Sequence, residues 1–467
     1  MSASESVAKK QKTDRREWVR DFHPPVHRGM MELDKSAFTV KVPLVAALLK
    51  DQSFFASLVK NSRSDLLQLQ GISRIVEWEN NQKAILLRHD INSPDKVPQA
   101  VTPTTLDVLT KAEATYHPYT LNLDYDYWRA EDILESVLPE DLLNEVPTGF
   151  TVVGHIAHMN IREEYMPYRF LIGQVILDKN PLVETVVNKL DSIHAVYRTF
   201  DMEVLAGKEE FEVEQSESGC RFRFNFKAVY WNSRLHTEHA RLISQFNKGE
   251  AVCDVFAGVG PFAVPAGKKG VIVFANDLNP HSYESMVGNI KLNKVDRTVF
   301  PTNEDGREYI KKSSQMLVDF AAKNPVIEIP PKRVSRSKPE TSIPEKIPVP
   351  THFKHYVMNL PDSAIEFLDG FIGLYRDLSL RQAAFGTDTP TSQQMPIINV
   401  HCFHKHEPDE PEPEPAQIHE DLRARVSKNL SFQIALSELS FHKVRKVAPT
   451  KTMYCISFRL PLPVALA

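Results

Sequence analysis

The chain of 467 residues lacks several features that quickly assign a protein to a class. It has only four cysteines, and no two of them form a Cys-x-x-Cys pair. This pattern excludes a disulfide framework and a zinc site, and it indicates a reducing compartment. The apolar runs are short, such as 251–257, and a membrane span needs roughly 20 apolar residues. We therefore expect a soluble protein with no membrane segment and no metal.

The chain also lacks a strong charge of either sign, since its formal net charge is −4. Proteins that bind nucleic acid usually show a basic face or a high pI. The near balance conceals segregated charge, because 330–338 (PPKRVSRSK) is basic and 406–414 (HEPDEPEPE) is acidic. A locally basic surface therefore remains compatible with the overall composition.

The N-terminal segment, 1–21, has no apolar core and is therefore not a secretory signal. Its basic run at 9–16 is either a nuclear address or part of a solvated, disordered tail. No amphipathic pattern of a mitochondrial presequence is present. We expect the cytoplasm and nucleus as locations.

Patterning divides the rest of the chain into three blocks. The first two, 22–144 and 145–223, mix strands and helices and are predicted to be two small α+β domains. In the first block, a hairpin is expected around Asn80 and Asn81. In the second, 151–156 is predicted to be a strand, 168–180 and 182–190 helices, and 197–205 a strand.

The third block, 224–467, alternates apolar strand-like runs with helical patterns five times and closes with two further β-like runs. Helices are predicted to include 363–380 and 421–439. Five β/α units imply a mostly parallel sheet with helices on both faces, and the closing strands imply an antiparallel edge. The predicted fold is thus a Rossmann-like, class I α/β domain built on a seven-stranded sheet. Two polar, proline-rich stretches, at about 324–352 and 406–417, are predicted to be mobile insertions that do not pack.

The strongest local motif is the run from Asp254 to Ala263, DVFAGVGPFA. Gly258 and Gly260 allow a ligand to approach the backbone between a buried strand and a helix. The spacing also satisfies the dinucleotide fingerprint, so NAD is an alternative ligand. An acid at the strand end suits the ammonium group of S-adenosylmethionine (SAM) better, and Pro261 directly after the second glycine also speaks against NAD.

Polar residues also follow the next three predicted strands. Asp277 lies where a carboxylate can accept hydrogen bonds from a ribose diol, and Asp305 lies where one can bind an adenine amino group. Asn359, in Asn-Leu-Pro, offers an amide that can hold the edge of a base by donating and accepting at once. Each residue alone is as readily a helix cap, but together they favour a ligand pocket at the carboxyl edge of the sheet.

At this point the chain resembles a known family. The motifs VYWNSRLHTEH (229–239), DVFAGVGPF, NDLNP and MNLP occur in order, as in the archaeal and eukaryotic tRNA (guanine-N1)-methyltransferases that act at position 37. The opening FHPPVHRGM (22–30) and LIGQVILDKN (171–180) are similar to the eukaryotic members. The resemblance covers most of the chain from residue 22 onward, apart from the insertions.

The resemblance implies SAM as cofactor, a tRNA gripped at its outer corner and anticodon stem-loop, and a monomer serving cytoplasmic, nuclear and mitochondrial pools. It implies Glu238 as general base, Tyr230 near the guanine, and Arg198 at guanine O6. His239 stands where archaeal relatives often carry arginine. The residues expected to bind the cofactor are His239, Asp254, Gly258, Gly260, Asp277, Leu278, Asp305, Gly306 and Asn359.

The chemistry of guanine supports these roles. N1 carries a proton in the neutral base, so a carboxylate such as Glu238 must remove it before N1 can attack a methyl group. The negative charge that develops on O6 calls for a cation such as Arg198. Glu238 is predicted to lie on a helix capped by Asn232 or Ser233, off its apolar stripe. The target base is expected to flip out of its stack, and the tRNA to be recognised by shape and phosphates.

Three alternatives remain open. A sister enzyme of the same fold moves the aminocarboxypropyl group of SAM to a neighbouring tRNA base during wybutosine synthesis. A tRNA-binding protein that has lost activity is the second alternative, and a dehydrogenase is the third. The run His401-Cys-Phe-His404-Lys-His406 invites a metal hypothesis, but it lacks closed tetrahedral spacing.

Overall fold

A computed structural model describes residues 22–194, 199–329, 344–409 and 411–467. Arg198, the basic run 9–16 and the basic stretch 330–338 lie outside the described residues. The chain forms two compact units. The first contains the described part of Met1–Thr151 with Ala157–Asn188 and Val204–Lys208, and the second contains the remainder.

The first unit contains an antiparallel sheet of order β2-β3-β1-β4. The predicted hairpin at Asn80 and Asn81 is confirmed, since both residues adopt positive φ angles of 57° and 60° between β2 and β3. Apolar side chains from these strands and from α4 and α5 form the main core of the unit. The strands are β1 (Val40–Leu48), β2 (Ile75–Glu77), β3 (Lys83–Leu86) and β4 (Thr115–Leu123); the helices are α1 (Phe55–Asn61), α2 (Val97–Ala100), α3 (Pro103–Lys111), α4 (Ala130–Val137) and α5 (Arg169–Lys179).

A second four-stranded sheet has the order β5-β6-β7-β8. The single strand predicted at 151–156 is instead two strands, because Gly154 turns the chain with φ 58°. The helix predicted at 182–190 is wrong, and a strand occupies that place because its β-branched valines and threonine favour extended backbone. The strands are β5 (Thr151–Val153), β6 (Ile156–Met159), β7 (Thr185–His194) and β8 (Thr199–Gly207).

The second unit is built on a seven-stranded sheet of order β13-β12-β11-β16-β17-β19-β18. The first five strands pair in parallel, and β19 and β18 add an antiparallel edge. This sheet confirms the predicted fold class. The strands are β9 (Glu212–Glu217), β10 (Cys220–Asn225), β11 (Ala251–Asp254), β12 (Ile272–Asn276), β13 (Val299–Thr302), β14 (Val326–Ile329), β15 (Glu345–Pro348), β16 (His355–Met358), β17 (Ile397–Lys405), β18 (Leu439–Ala448) and β19 (Lys451–Arg459).

The helices of this unit follow the predicted alternation with two corrections. The helix predicted at 363–380 is a 3-10 segment, Ala364–Phe371, followed by a separate helix, α10 (Leu378–Phe385), because Gly373 turns the chain with φ 74°. The helix predicted at 421–439 starts earlier, at Pro415, and ends where Ser431 adopts φ 51°. The helices are α6 (His236–Gln245), α7 (Ala263–Lys268), α8 (Pro280–Asn293), α9 (Gly306–Lys323), α10 (Leu378–Phe385), α11 (Pro415–Leu430) and α12 (Leu462–Leu466).

The two proline-rich stretches are more ordered at their ends than predicted. β14 and β15 pair in antiparallel fashion, and Ile327 and Ile347 are buried in the core of the second unit. The expectation that 324–352 does not pack is therefore wrong for these ends, because apolar residues alternate there with charged ones. At 406–417, Glu412 forms ion pairs with Lys443 and Lys446, and Pro415 begins α11.

The strands at the centre of the seven-stranded sheet are buried on both faces. Every residue of β11, β12 and β16 is buried, which fits parallel strands covered by helices on each side. Among the described residues, no helix has the length and apolar character needed to cross a membrane. The carboxyl edge of these strands is therefore the place where polar residues meet on a rigid support.

Candidate functional site

The glycine loop joins β11 to α7 in the manner the sequence predicts. Gly258 and Gly260 adopt positive φ angles of 56° and 97°, which side chains other than glycine rarely tolerate. A methyl group at Gly258 would meet open space, whereas one at Gly260 would lie 2.8 Å from Val264 Cγ2. Gly258 therefore keeps the backbone accessible, and Gly260 permits close packing. The amide of Asn289, on α8, donates to the carbonyl of Val259 at 3.0 Å and fixes the loop.

Two side-chain amides, the buried one of Asn276 and the exposed one of Asn303, join the loops at this edge of the sheet. Asn276, at the end of β12, donates to the carbonyls of Val255 and Glu304 and accepts from the Glu304 N–H. Asn303 donates to the carbonyls of Asp277 and Leu278. The loops that follow β11, β12 and β13 therefore form one hydrogen-bonded platform, which holds the predicted cofactor residues in fixed positions.

Asp254 ends β11 beneath the loop and is fully buried. Neither of its carboxylate oxygens has a hydrogen-bond partner among the described residues. Burial, together with the nearby carboxylate of Asp277, raises the pKa of Asp254 to about 8. A buried, unpartnered acid is costly unless a cation neutralises it, so the position fits an ammonium group such as that of SAM.

Asp277 directly follows β12 and faces the same loop. Its Oδ2 accepts from the Gly258 N–H at 2.8 Å and its Oδ1 from the Asn279 N–H at 2.9 Å. Each oxygen retains a lone pair that can accept from a hydroxyl group. Beside it, Leu278 leaves 45% of its surface exposed and offers an apolar contact at the mouth of the site.

Asp305 and Gly306 begin α9 after β13. The Oδ1 atom of Asp305 accepts from the backbone N–H groups of Arg307 and Glu308, so the carboxylate caps the helix. Both bonds use the same oxygen, which leaves Oδ2 for a further donor. Gly306 packs against the ring of Phe256, where a methyl group would lie 2.7 Å from Cε1. Its lack of a side chain lets α9 start close to the loop.

Asn359 follows β16, the strand that pairs with β11. Its side-chain oxygen is buried and has no hydrogen-bond partner among the described residues. An unpartnered amide oxygen at the carboxyl edge of the sheet can accept a hydrogen bond from a ligand. This placement fits the predicted contact with the edge of a base.

Helix α6 carries Glu238 and directly follows a 3-10 turn, Ser233–Leu235. The side chain of Asn232 accepts from the Arg234 N–H and so caps this 3-10 turn, whereas α6 itself begins after Leu235 without a side-chain cap, which corrects the prediction that Asn232 or Ser233 caps the helix. Leu235, Leu242 and Phe246 of the apolar stripe are buried. Glu238 lies off that stripe, yet it is also buried, with a side-chain exposure of 1%. It is therefore not a solvated residue of the first helical turn.

Four side chains surround the carboxylate of Glu238. Arg241, one turn along α6, donates from Nε to Oε2 at 2.6 Å and from Nη2 to Oε1 at 2.7 Å. His401, on β17, places Nε2 2.7 Å from Oε1. His442, on β18, places Nε2 3.5 Å from Oε2. The thiol of Cys455, on β19, lies within 4.8 Å of the nearest ligand atoms of Glu238 and His401.

These neighbours keep Glu238 ionised. Burial alone would raise the pKa of Glu238, but the hydrogen bonds from Arg241 and His401 outweigh it and lower the pKa to about 2. Burial would lower the pKa of His401, but Cys455 and Glu238 together raise it to about 10. The cluster thus holds a carboxylate between two cations at neutral pH.

Glu238, His401 and Cys455 are close enough to surround a cation. Arg241 already donates to both oxygens of Glu238, however, and its own positive charge disfavours a second cation beside it. The other histidines of the 401–406 run have different partners. His404 pairs with Asp421, and His406 bonds the carbonyl of Glu407. We therefore assign no metal to this cluster.

Tyr230 and His239 lie on either side of Glu238 in the sequence. Trp231 stacks on Phe224 with centroids 4.9 Å apart and anchors the segment, while Tyr230 remains 45% exposed. His239 is buried, bonds Glu217 through Nδ1 at 2.5 Å and packs against the ring of Phe262. His239 therefore lies against the helix that follows the glycine loop, with its imidazole paired to an acid. The roles of these residues stay predictions.

The sequence reasoning missed three partners of Glu238. The i,i+3 spacing of Glu238 and Arg241 on a helix was a usable signal. His401 was considered only as a candidate metal ligand, and His442 was not singled out. Their approach to Glu238 depends on how α6 packs on β17 and β18, which local pattern does not reveal.

Comparison with known proteins gives two family models and many relatives. A model described as the TYW2 N-terminal domain matches residues 130–210, and one described as the TRM5/TYW2 methyltransferase domain matches residues 213–322. A tRNA (guanine(37)-N(1))-methyltransferase of Candida albicans (strain SC5314) is 46% identical over 453 residues, which cover 95% of this chain and 98% of the relative. The enzyme of the same name from Schizosaccharomyces pombe is 48% identical over 441 residues, covering 94% and 96%.

Solved structures agree on the fold. The wild-type Trm5b from Pyrococcus abyssi is similar with a TM-score of 0.52 and 23% identity, covering 90% of this chain and 99% of that one. A structure described as the complex of aTrm5 and tRNALeu gives a TM-score of 0.54 at 17% identity, covering 90% and 100%. At this level of identity the likeness concerns the fold.

The seven-stranded sheet, the glycine loop and the acids at the strand ends define a class I SAM-dependent methyltransferase. This conclusion removes the dehydrogenase alternative. With relatives 46% and 48% identical over nearly the whole length, the chain belongs to the tRNA (guanine(37)-N(1))-methyltransferase family.

Proposed function

We propose that this enzyme transfers the methyl group of SAM to N1 of the guanosine at position 37 of tRNA, next to the anticodon. The observation that carries the proposal is the buried carboxylate of Glu238, kept ionised by Arg241 and His401 at the carboxyl edge of the sheet. The relatives that share the fold over its full length are named for the same reaction.

Glu238 is the proposed general base. The N1–H of neutral guanine must lose its proton, and a carboxylate that is ionised at neutral pH can accept it. Tyr230, exposed close to the start of α6, is the proposed neighbour of the guanine, and Asn359 the proposed partner of its edge. Arg198, which lies outside the described residues, remains the proposed partner of O6, where a cation stabilises the developing negative charge.

The remaining polar residues are the proposed SAM site. When bound, SAM supplies a methyl group on a positively charged sulfur, which leaves as the neutral thioether. Asp254 would hold the ammonium group, Asp277 the ribose diol and Asp305 the adenine amino group, while Leu278 would cover the adenine ring. The glycines Gly258, Gly260 and Gly306 keep the backbone close to the cofactor, and His239 supports the loop through Phe262.

The proposed macromolecular partner is tRNA, held at its outer corner by the block 22–144 and at its anticodon stem by 145–223 and 224–467. Flipping of the target base into the site is part of the proposal. We also propose a monomer, located in the cytoplasm and nucleus and, as the family resemblance implies, in the mitochondrial matrix. Size-exclusion chromatography with light scattering and imaging of a tagged chain test these two points.

The test is a labelled-methyl assay with an unmodified tRNA transcript that carries G at position 37. The product nucleoside is identified after digestion, with an A37 transcript and the Glu238→Gln variant as controls. We expect 1-methylguanosine that depends on both G37 and Glu238. The by-product separates the sister reaction, since methyl transfer releases S-adenosylhomocysteine and aminocarboxypropyl transfer releases methylthioadenosine. Binding of tRNA and SAM without product would indicate the inactive binding protein.

A further inference from the structure

The hydrogen bonds that Glu238 accepts leave one lone-pair site of its carboxylate at which it can take a proton. A carboxylate has about four lone-pair sites, two on each oxygen. Oε1 accepts from Arg241 Nη2 and from His401 Nε2, both at 2.7 Å, so its sites are filled. Oε2 accepts from Arg241 Nε at 2.6 Å and has one site left. The reactive oxygen of Glu238 is therefore Oε2.

The imidazole of His442 also lies beside this oxygen, with its Nε2 3.5 Å from Oε2. The distance is just beyond a hydrogen bond, and such contacts often tighten when a substrate binds. The side chain of His442 is 45% exposed, whereas that of Glu238 is 1% exposed. His442 thus connects a buried carboxylate to solvent.

The other groups that face the cluster cannot take a proton from Glu238. Arg241 is permanently protonated, and its pKa is raised further by the hydrogen bond to Glu238. His401 is protonated at neutral pH, since its pKa is raised to about 10 against the effect of burial by Cys455 and Glu238. Cys455 is buried within 4.8 Å of the nearest ligand atoms of Glu238 and His401, and a thiol is a much weaker base than an imidazole. Only His442 differs: burial, and then the nearby Arg241, lower its pKa, so its imidazole is neutral and can accept.

We propose that His442 accepts the proton that Glu238 removes from guanine N1 and delivers it to solvent. This inference rests on the proposed function. The inference also resolves a difficulty in the proposed function. A carboxylate with a pKa of about 2, such as that of Glu238, is too weak a base to retain the proton. A stronger acceptor in contact with Glu238 lets the transfer go to completion.

The proton balance is as follows. The N1–H bond breaks and its proton moves to Oε2 of Glu238. The N1 electron pair forms the new bond to the methyl carbon, and the bond between that carbon and the SAM sulfur breaks with its electron pair left on sulfur. Glu238 passes the proton to Nε2 of His442, and the imidazolium releases the proton of Nδ1 to water. Glu238 is then in its starting state, and His442 regains its starting tautomer when Nε2 gives a proton to water and Nδ1 takes one from water. One proton reaches solvent for each methyl group transferred.

The experiment compares single-turnover methyl transfer to G37 tRNA by the wild-type chain, His442→Ala and His442→Gln at saturating SAM and tRNA. We expect His442→Ala to lower the rate constant at least about tenfold with unchanged affinity for both substrates, and free imidazole to restore much of the loss. His442→Gln keeps a side chain of similar size but without a group that titrates, and it fills the space that free imidazole would occupy. Imidazole should therefore not restore the rate constant of this variant. Circular dichroism confirms that both variants fold, and His281→Ala, an exposed histidine on α8, is the matched control.

The pH profile gives a second readout. The wild-type rate should fall with decreasing pH as His442 becomes protonated, at a pH below the ordinary range of histidine because burial lowers its pKa, and this limb should disappear in His442→Ala. A variant with an unchanged rate and profile overturns the inference. So does a variant whose only defect is weaker tRNA binding that imidazole does not restore. Absence of 1-methylguanosine from the wild-type chain overturns the proposed function together with the inference, whereas product from wild type separates the two.

Discussion

Arg241 forms a bidentate ion pair with Glu238 within a single turn of α6, with hydrogen bonds of 2.6 and 2.7 Å to the two carboxylate oxygens. Charge-assisted bonds of this kind are stronger than neutral ones and fix the plane of the carboxylate. The orientation of the proposed base is therefore set before any substrate arrives.

This contact predicts a pH-dependent contribution to stability. The pKa of Glu238 is lowered to about 2 from 4.5, so its ionised form stabilises the fold above pH 4.5, and the contribution is lost as pH falls toward 2. Glu238→Gln should therefore lower the free energy of unfolding by about 2–3 kcal/mol at pH 7, and by progressively less below pH 4.5. Denaturant titrations from pH 7 to pH 3 measure the difference.

A matched control lies on α11, where Arg423 binds both oxygens of Glu420 with the same i,i+3 spacing, but at the surface. Glu420→Gln should leave stability almost unchanged at every pH, because water screens exposed pairs. Equal effects of the two substitutions would contradict the burial argument.

Asp254 should change the free energy of unfolding with pH in the direction opposite to Glu238. Its pKa is raised to about 8 by burial and by Asp277, so ionising it costs folding free energy, and stability falls as pH rises from 3.8 to 8. Asp254→Asn should raise the free energy of unfolding by at least about 1 kcal/mol at pH 8, with a gain that shrinks toward pH 4. Calorimetric unfolding at both pH values checks this.

The same substitution should weaken SAM binding, because the amide cannot pair with an ammonium group. Wild-type affinity for SAM should increase from pH 6 to pH 8 as Asp254 ionises, and that dependence should vanish in Asp254→Asn. Titration calorimetry with SAM measures both. A variant that binds SAM as tightly as wild type would remove Asp254 from the proposed cofactor site.

Substitutions of two glycines can distinguish the effect of backbone strain on stability from the effect of an added methyl group on SAM binding. Gly258 and Gly386 both have positive φ angles, of 56° and 69°, and both would place an added methyl group in open space. Gly258→Ala and Gly386→Ala should therefore cost similar stability, about 1 kcal/mol each. Only Gly258→Ala should weaken SAM binding, by tenfold or more, because its methyl group enters the proposed cofactor space. Melting temperatures and SAM affinities of both variants provide the comparison, and equal affinities would argue against the loop as the SAM site.

Asn276 should be needed for the platform of loops. Asn276→Ala leaves the carbonyls of Val255 and Glu304 without their donor, at a cost of about 1–3 kcal/mol. SAM affinity should fall with it, since two of the loops it ties carry Asp305 and the glycines. Asn429→Ala, which loses only a bond to its own helix backbone at Arg425, should affect neither quantity. If Asn276→Ala binds SAM normally, the loops hold their positions without it.

The parts of the fold that local pattern specifies were predictable. Buried strands such as β11 and β12 are continuous apolar runs, and their alternation with helical periodicity defines a parallel sheet. Asp254, Asp277 and Asn359 were identifiable because the carboxyl ends of adjacent parallel strands share one edge. The helix predicted at 182–190 overlaps the strand at 185–194, because the apolar residues there fit either period and the preference of the valines and the threonine for extended backbone was not weighed.

The environment of Glu238 was not predictable, for a different reason. His401 is 163 positions away from Glu238, and its contact depends on the packing of a helix against the sheet. No spacing rule links such positions in one sequence. The family resemblance pointed to Glu238 as the proposed base, but three-dimensional packing was needed to find the groups that surround its carboxylate.

Three of the four side chains around Glu238, those of His401, His442 and Cys455, come from β17, β18 and β19, which lie near the end of the chain and beyond the entire glycine loop. During translation, the loop, Asp277 and Asn359 emerge before His401, and His442 emerges last. A nascent chain that holds the parts of the proposed cofactor pocket therefore has Arg241 beside Glu238 but still lacks the three partners from the last strands. The full environment of this carboxylate is completed only when the hairpin of β18 and β19 pairs with β17.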